Sequence, residues 1–159
     1  MATDKEIRQA QMVYSTICDT LDDMNWTYDK DEENLDIYSG AGTDDYPIDI
    51  RINVSPSKAL VTVLSEIAVD DNIDTRAAVS VGVSIINNRL VDGNFDYNMA
   101  DGKMFFRITS SFKSSLLSKD VFDYMIYIAC HTVDEYNDKL IPLSTGEWSF
   151  DEFLQKIHA

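Results

Sequence analysis

An α+β fold built on antiparallel strands is what this sequence predicts, and three observations predict it. Ile48, Ile50, Ile52 and Val54 alternate with Asp49, Arg51 and Asn53, the period-two pattern of a strand with one buried face. Turn signals follow that strand at Ser55-Pro56-Ser57-Lys58 and recur at Asp101-Gly102. The strand-like stretches are interleaved with segments whose apolar residues return every three or four positions, in an order that is not strict βαβ. The predicted order is a helix, a three-strand antiparallel meander, a helix, a two-strand hairpin, a long helix and a short C-terminal helix.

The first helix is expected over about 4–25. Ile7, Ala10, Tyr14, Ile17, Leu21 and Met24 line one side of it, with Asp4, Glu6, Asp19, Asp22 and Asp23 mostly off that stripe. Trp26-Thr27-Tyr28 is a short strand candidate before a polar turn from Asp29 to Asn34. Leu35-Asp36-Ile37-Tyr38 begins a strand that Gly40-Ala41-Gly42 should break. After the alternating strand and its turn, Leu60 to Leu64 forms the return strand, with Val69 as its furthest extent.

Thr75 to Leu90 carries two patterns, an alternation of Val79, Val81 and Val83 and a helical set of Ala77, Ala78, Val81, Ile85 and Ile86. Length and the lack of an internal turn favour the helix, against a cost of about 1 kcal/mol for Gly82 in its interior. Asn94–Asn98 and Lys103–Phe112 then pair across the Asp101-Gly102 tip. Ser118 should cap a helix reaching about Leu140, stopped by Pro142, with Phe122, Met125, Ile128, Ala129, Thr132, Tyr136 and Leu140 inward. Ser149-Phe150-Asp151-Glu152 reads as a capping box for the last helix, whose apolar side is Phe153, Leu154 and Ile157.

Composition narrows the function. The 159 residues fit one domain, 1–159, and 45% of them are apolar, enough for a core without metal or disulfide. A net charge of −15 disfavours nucleic acid and anionic membrane, which both select clustered Lys and Arg, and favours basic or polar partners. No apolar run approaches a membrane span, and the charged start Met1 to Glu6 lacks a signal-peptide core, so a cytoplasmic protein is expected. Cys18 and Cys130 fall in apolar helical patterns and should be free and buried.

Residues that carry chemistry are sparse. His131 adjoins Cys130, but neighbours on a helix diverge by about 100° and do not form a pair. Asp29 to Asn34 opens like a calcium loop but has Asn34 where Gly is needed and Gly40 where a bidentate Glu is needed. Neither CxxC nor HExxH occurs, and Gly40-Ala41-Gly42 lacks the rest of a phosphate loop. No cofactor, metal ligand or catalytic residue is therefore assigned.

One stretch resembles a known family. Asn87-Asn88-Arg89-Leu90, Gly93-Asn94-Phe95-Asp96, Asp101-Gly102 and Phe105-Phe106-Arg107 occur in order. The helix containing Val121-Phe122-Asp123-Tyr124-Met125 and Val133-Asp134-Glu135-Tyr136 follows them. Together these segments are similar to the YbjN-like family, proposed bacterial sensory transduction regulators. The first half matches in its order of elements. The helix from Trp148 to Ile157 lies outside that family's pattern, and the middle helix is unusually β-branched. The resemblance implies a fold like that of class I type III secretion chaperones: small, acidic, usually dimeric proteins that hold an extended client segment. It brings no catalytic motif.

The function expected is a non-enzymatic polypeptide-binding or regulatory module, with a protein or peptide client and a homodimeric state. Two alternatives stay open: a small enzyme or metal protein with a site assembled from Asp, His and Cys, and a structural homodimer with no client. The candidate partner surface comprises strand residues out of phase with the core, together with the terminal aromatics Trp148, Phe150 and Phe153.

Overall fold

A computed structural model describes residues 1–43 and 45–158 of the chain. Helix α1 (Asp4–Asp23) leads into strands β1 (Tyr28–Asp31), β2 (Asp36–Ala41), β3 (Ile48–Ser55) and β4 (Leu60–Ile67). Helix α2 (Arg76–Asn87), the hairpin β5 (Asn94–Tyr97) and β6 (Met104–Ser111), and helices α3 (Lys119–Thr145) and α4 (Phe150–His158) complete it. The fold is α+β in the predicted order of elements. The strands form one six-stranded antiparallel sheet in the order β1-β2-β3-β4-β6-β5.

The alternation of β3 is the organising feature. Ile48, Ile50, Ile52 and Val54 are buried, and so are Val61, Val63 and Ile67 of β4. Register carries the same phase across the sheet: Ile52 faces Val63, Val63 faces Ile108, and Phe95 faces Phe106. Those residues meet α1 through Ala10, Val13, Ile17 and Leu21, and α3 through Phe122, Met125, Ala129 and Val133. One face of the sheet is thereby covered by helices.

Local chemistry sets the helix ends. Thr3 caps α1 in a full capping box with Glu6. Ser149 and Glu152 form the equivalent box at α4: the Ser149 amide donates to Glu152 Oε2 at 2.7 Å, and the Glu152 amide donates back to Ser149 Oγ at 3.3 Å. Both glutamates are held below the usual carboxylate range by those hydrogen bonds. Gly102 sits at φ +71° in the β5–β6 turn, where an L side chain is strained, and a Cβ there would also approach Asp71 Oδ1 to 2.5 Å.

Four details differ from the sequence reading. The meander has four strands, because Asp29 to Asp31 joins β1 instead of turning; β1 pairs with β2 at the sheet edge, where charged side chains are favoured. Strand β2 runs through Gly40 to Ala41, still paired with β3. Pro142 lies inside α3, which ends three residues later at Thr145 and is capped by Gly146, φ +81°. Near a helix C-terminus proline removes one bond, and its own carbonyl still accepts from the Trp148 amide at 3.1 Å. On α1, Ile7 is exposed while Val13 and Cys18 join the buried side.

Helix α2 takes the helical alternative over Arg76–Asn87 and leaves 88–90 as its exit turn, and Gly82 has a packing reason. A Cβ at Gly82 would lie 3.0 Å from Leu143 Cδ2 and 3.1 Å from the Phe153 ring, so the glycine makes room for α3 and α4 to close on α2. Asn87, at the end of α2, donates to the Phe95 carbonyl at 2.9 Å and accepts from the Phe95 amide at 2.8 Å. A side-chain amide thus takes the place of a further strand along the edge of β5.

Candidate functional site

Among the described residues, the second face of the sheet carries no helix. Its residues are the out-of-phase positions of the same strands, and register places them in rows. Asp29 of β1 faces Tyr38 of β2, Tyr38 faces Arg51 of β3, Arg51 faces Leu64 of β4, and Leu64 faces Arg107 of β6. A neighbouring row sets Glu66 opposite Phe105 and Phe105 opposite Asp96. A shallow cleft of about 340 Å³ opens here, with Tyr38, Leu64 and Phe105 as its apolar floor and Arg51, Asp49 and Glu66 around it.

One side of the cleft is a fixed polar network. Asp36 is 4% exposed and accepts from Arg51 Nη2 and from Asn53 Nδ2, both at 2.7 Å. Tyr14, reaching across from α1, donates its hydroxyl to the Asp36 carbonyl at 3.1 Å. Burial pushes the Tyr14 phenol up to about 12, so it remains a donor at neutral pH. The Arg51 guanidinium lies 5.8 Å from the Tyr38 ring centroid, in cation–π range. Hydrogen bonding to Asp36 holds Arg51 even more firmly protonated than usual.

On the other side, Arg107 binds Asp96 with two nitrogens, at 2.6 and 3.1 Å. Both arginines of this face are therefore occupied within the protein. Asp49 and Glu66 are exposed and make no ion pair among the described residues.

The terminal aromatics lie elsewhere. Phe153 is 0% exposed, wedged over Gly82 and stacked on Phe150 at 6.0 Å between centroids. Trp148 and Phe150 are half-buried, and Lys156 Nζ sits 5.5 Å from the Trp148 ring centroid. Phe153 is thus a core residue that holds α4 on α2 and α3, and the three aromatics do not converge with the cleft. Apolar strand positions facing outward, Tyr38, Leu64 and Phe105, are what the sequence reading left unnamed. The signal was present in phase alone: Val61 and Val63 mark the buried side of β4, which turns Leu64 outward.

Groups with other chemistry are dispersed. Cys18 is buried and Cys130 partly so; burial raises both thiols, that of Cys130 to about 11 with help from Asp134. His131 stacks on Tyr127 at 5.6 Å, and His158 Nδ1 is 2.7 Å from Arg89 Nη2. Among the described residues no three His, Cys, Asp or Glu side chains are placed to share a metal ion. Nor is any helix among them long and apolar enough to cross a membrane.

No protein-family model matches the sequence, and no curated protein matches it with significance. Solved structures do match the fold. YbjN from E. coli, a proposed transcription regulator, superposes with TM-score 0.58 at 10% identity, over 84% of this chain and 92% of its own. The HopA1–SchA chaperone–effector complex matches with TM-score 0.55 at 7% identity, over 80% of this chain and 95% of the matched chain. The ExsC–ExsE complex gives 0.55 at 9% identity, over 82% and 94%. The chain has the fold of YbjN and of the matched chains in those two complexes.

Proposed function

We propose that this protein is a non-enzymatic polypeptide-binding module, with residues 1–159 acting as one unit and the open sheet face as its working surface. The observation that carries this reading is the cleft over Tyr38, Leu64 and Phe105, an apolar floor on a sheet face that no helix covers. Apolar area left open on an acidic protein is ordinarily a place where another chain lies. Support comes from two structural neighbours that are complexes, one of them a chaperone with its effector.

A homodimer is part of the proposal. The exposed positions of α2 are Ala77, Val81 and Ser84, followed by the cap residue Asn88, without a charge among them. In a chain with 26% charged residues, such a helix face suits close approach of a second copy.

The test is capture of partners from the protein's own host with the native chain and with a Leu64→Arg, Phe105→Ser variant. Loss of a discrete partner at unchanged melting temperature is expected. Equal capture by both proteins would overturn the assignment to this face.

A further inference from the structure

The charges around the cleft specify what kind of segment it holds. Arg51 and Arg107, the basic side chains on the strand positions of the open face, are neutralised by Asp36 and Asp96. Asp49 and Glu66 remain. Each lies two positions from the paired residues Arg51 and Leu64, along β3 and β4, so both project on the same side of the sheet and line the same cleft. A docked segment therefore meets an apolar floor bordered by two carboxylates without intramolecular partners. An acidic group placed there would be desolvated against like charge and a neutral one would gain only an uncharged donor's hydrogen bond, whereas a cation gains from both carboxylates.

We infer that the occupant of the open face is a polypeptide segment in which a lysine or arginine is flanked by aliphatic or aromatic residues. The basic group sits between Asp49 and Glu66, and its apolar neighbours rest on Leu64 and Phe105. This rests on the reading of the open face as the docking surface and adds the recognition chemistry. The net charge of −15 acts in the same direction at longer range, drawing a cationic segment in over about a Debye length of 8–10 Å.

The experiment uses short capped synthetic peptides in which leucine and phenylalanine flank a central lysine, glutamine or glutamate. Their binding to the full chain and to its D49N/E66Q variant is followed by NMR at the Leu64 methyls and the Phe105 ring. On the native chain the lysine peptide should bind about tenfold more tightly than the glutamate peptide, a gap of about 1.4 kcal/mol. In D49N/E66Q the gap should shrink to less than about threefold while the same resonances still move. Equal binding of lysine and glutamate peptides at Leu64 and Phe105 would overturn the charge preference and leave the docking face standing. A full gap retained in D49N/E66Q would remove these two carboxylates from the assignment. Peptides that move neither Leu64 nor Phe105 would overturn the docking face and the inference with it.

Discussion

The two faces of one sheet divide the work of this molecule between them. Along β3 the backbone alternates Ile50, Ile52 and Val54, all buried, with Asp49 and Arg51, exposed, and Asn53, half-buried. Along β4, Val61 and Val63 face the helices, and Leu64 and Glu66 face out. The same strands and the same hydrogen bonds support both surfaces, so only side-chain phase separates the packed face from the proposed docking face. The covered face is packed against α1 and α3, and where α4 closes on α2 the Phe153 ring occupies the space over the missing Cβ of Gly82. The open face keeps an unfilled cleft, with its two arginines tied down and two carboxylates free. Substitutions on the covered side should be felt in stability, and those on the open side in binding.

The largest contrast is expected between Phe153→Ala and Leu64→Ala. Removing the Phe153 ring empties space over Gly82 and should cost about 3–5 kcal/mol, read from urea denaturation midpoints. Leu64→Ala, on a half-exposed position, should cost less than about 1 kcal/mol. Similar losses from both would erase the distinction between the faces.

Arg51→Met should fall between them, and it marks where the open face also has a structural duty. It strips the guanidinium from the nearly buried Asp36 carboxylate, leaving Asn53 and, at 3.4 Å, the Tyr38 hydroxyl as its partners. Arg51 is half-exposed, so the expected loss is modest, about 1–3 kcal/mol. A variant as stable as the native chain would show that Asp36 is adequately solvated alone.

Gly102→Val should destabilise by more than about 1 kcal/mol, because a β-branched residue at positive φ is strained. Its new Cβ would also press on Asp71, which Arg76 holds together with the Met99 and Ala100 carbonyls. An unchanged midpoint would place the hairpin tip elsewhere.

The smallest signal concerns the thiols of the covered side. With Cys130 raised to about 11, its reactive thiolate is present above that pH and scarce below it, roughly a thousandth of the population at pH 8. Native-state labelling of Cys18 and Cys130 should therefore be slow and should accelerate on denaturation. Rapid labelling at pH 8 would mean that one of them is accessible from the surface.

How much of this was legible beforehand follows from the range of the determining contacts. The β3–β4 hairpin, the Asp101-Gly102 turn and the Ser149–Glu152 box are local, and residues close in sequence specify them. Strand β1 is legible only at its start, where Tyr28 closes the predicted Trp26–Tyr28 strand; nothing in Asp29-Lys30-Asp31 favours a strand until β2 lies beside it. Pro142 reads as a stop in isolation, but the helix runs on to Thr145 and is closed by Gly146 in the left-handed conformation. The alternation predicted an outward set of strand residues. That Tyr38, Arg51, Leu64 and Arg107 form one row depends on strand order, which pairs β4 with β6 across some forty intervening residues. Phe153 belongs to an apolar helix stripe whether it meets the core or a partner, and only the packing on Gly82 decides between them.

The central claim is that the open sheet face receives another polypeptide. It is tested most directly by placing a photoreactive amino acid at position 64 in one protein and at position 127, on the outer side of α3, in another. Both are irradiated in the native host. The account predicts a discrete cross-linked polypeptide from position 64 and none from position 127, with the attached segment carrying a basic residue among apolar ones. Cross-linking from position 127 with none from position 64 would contradict it.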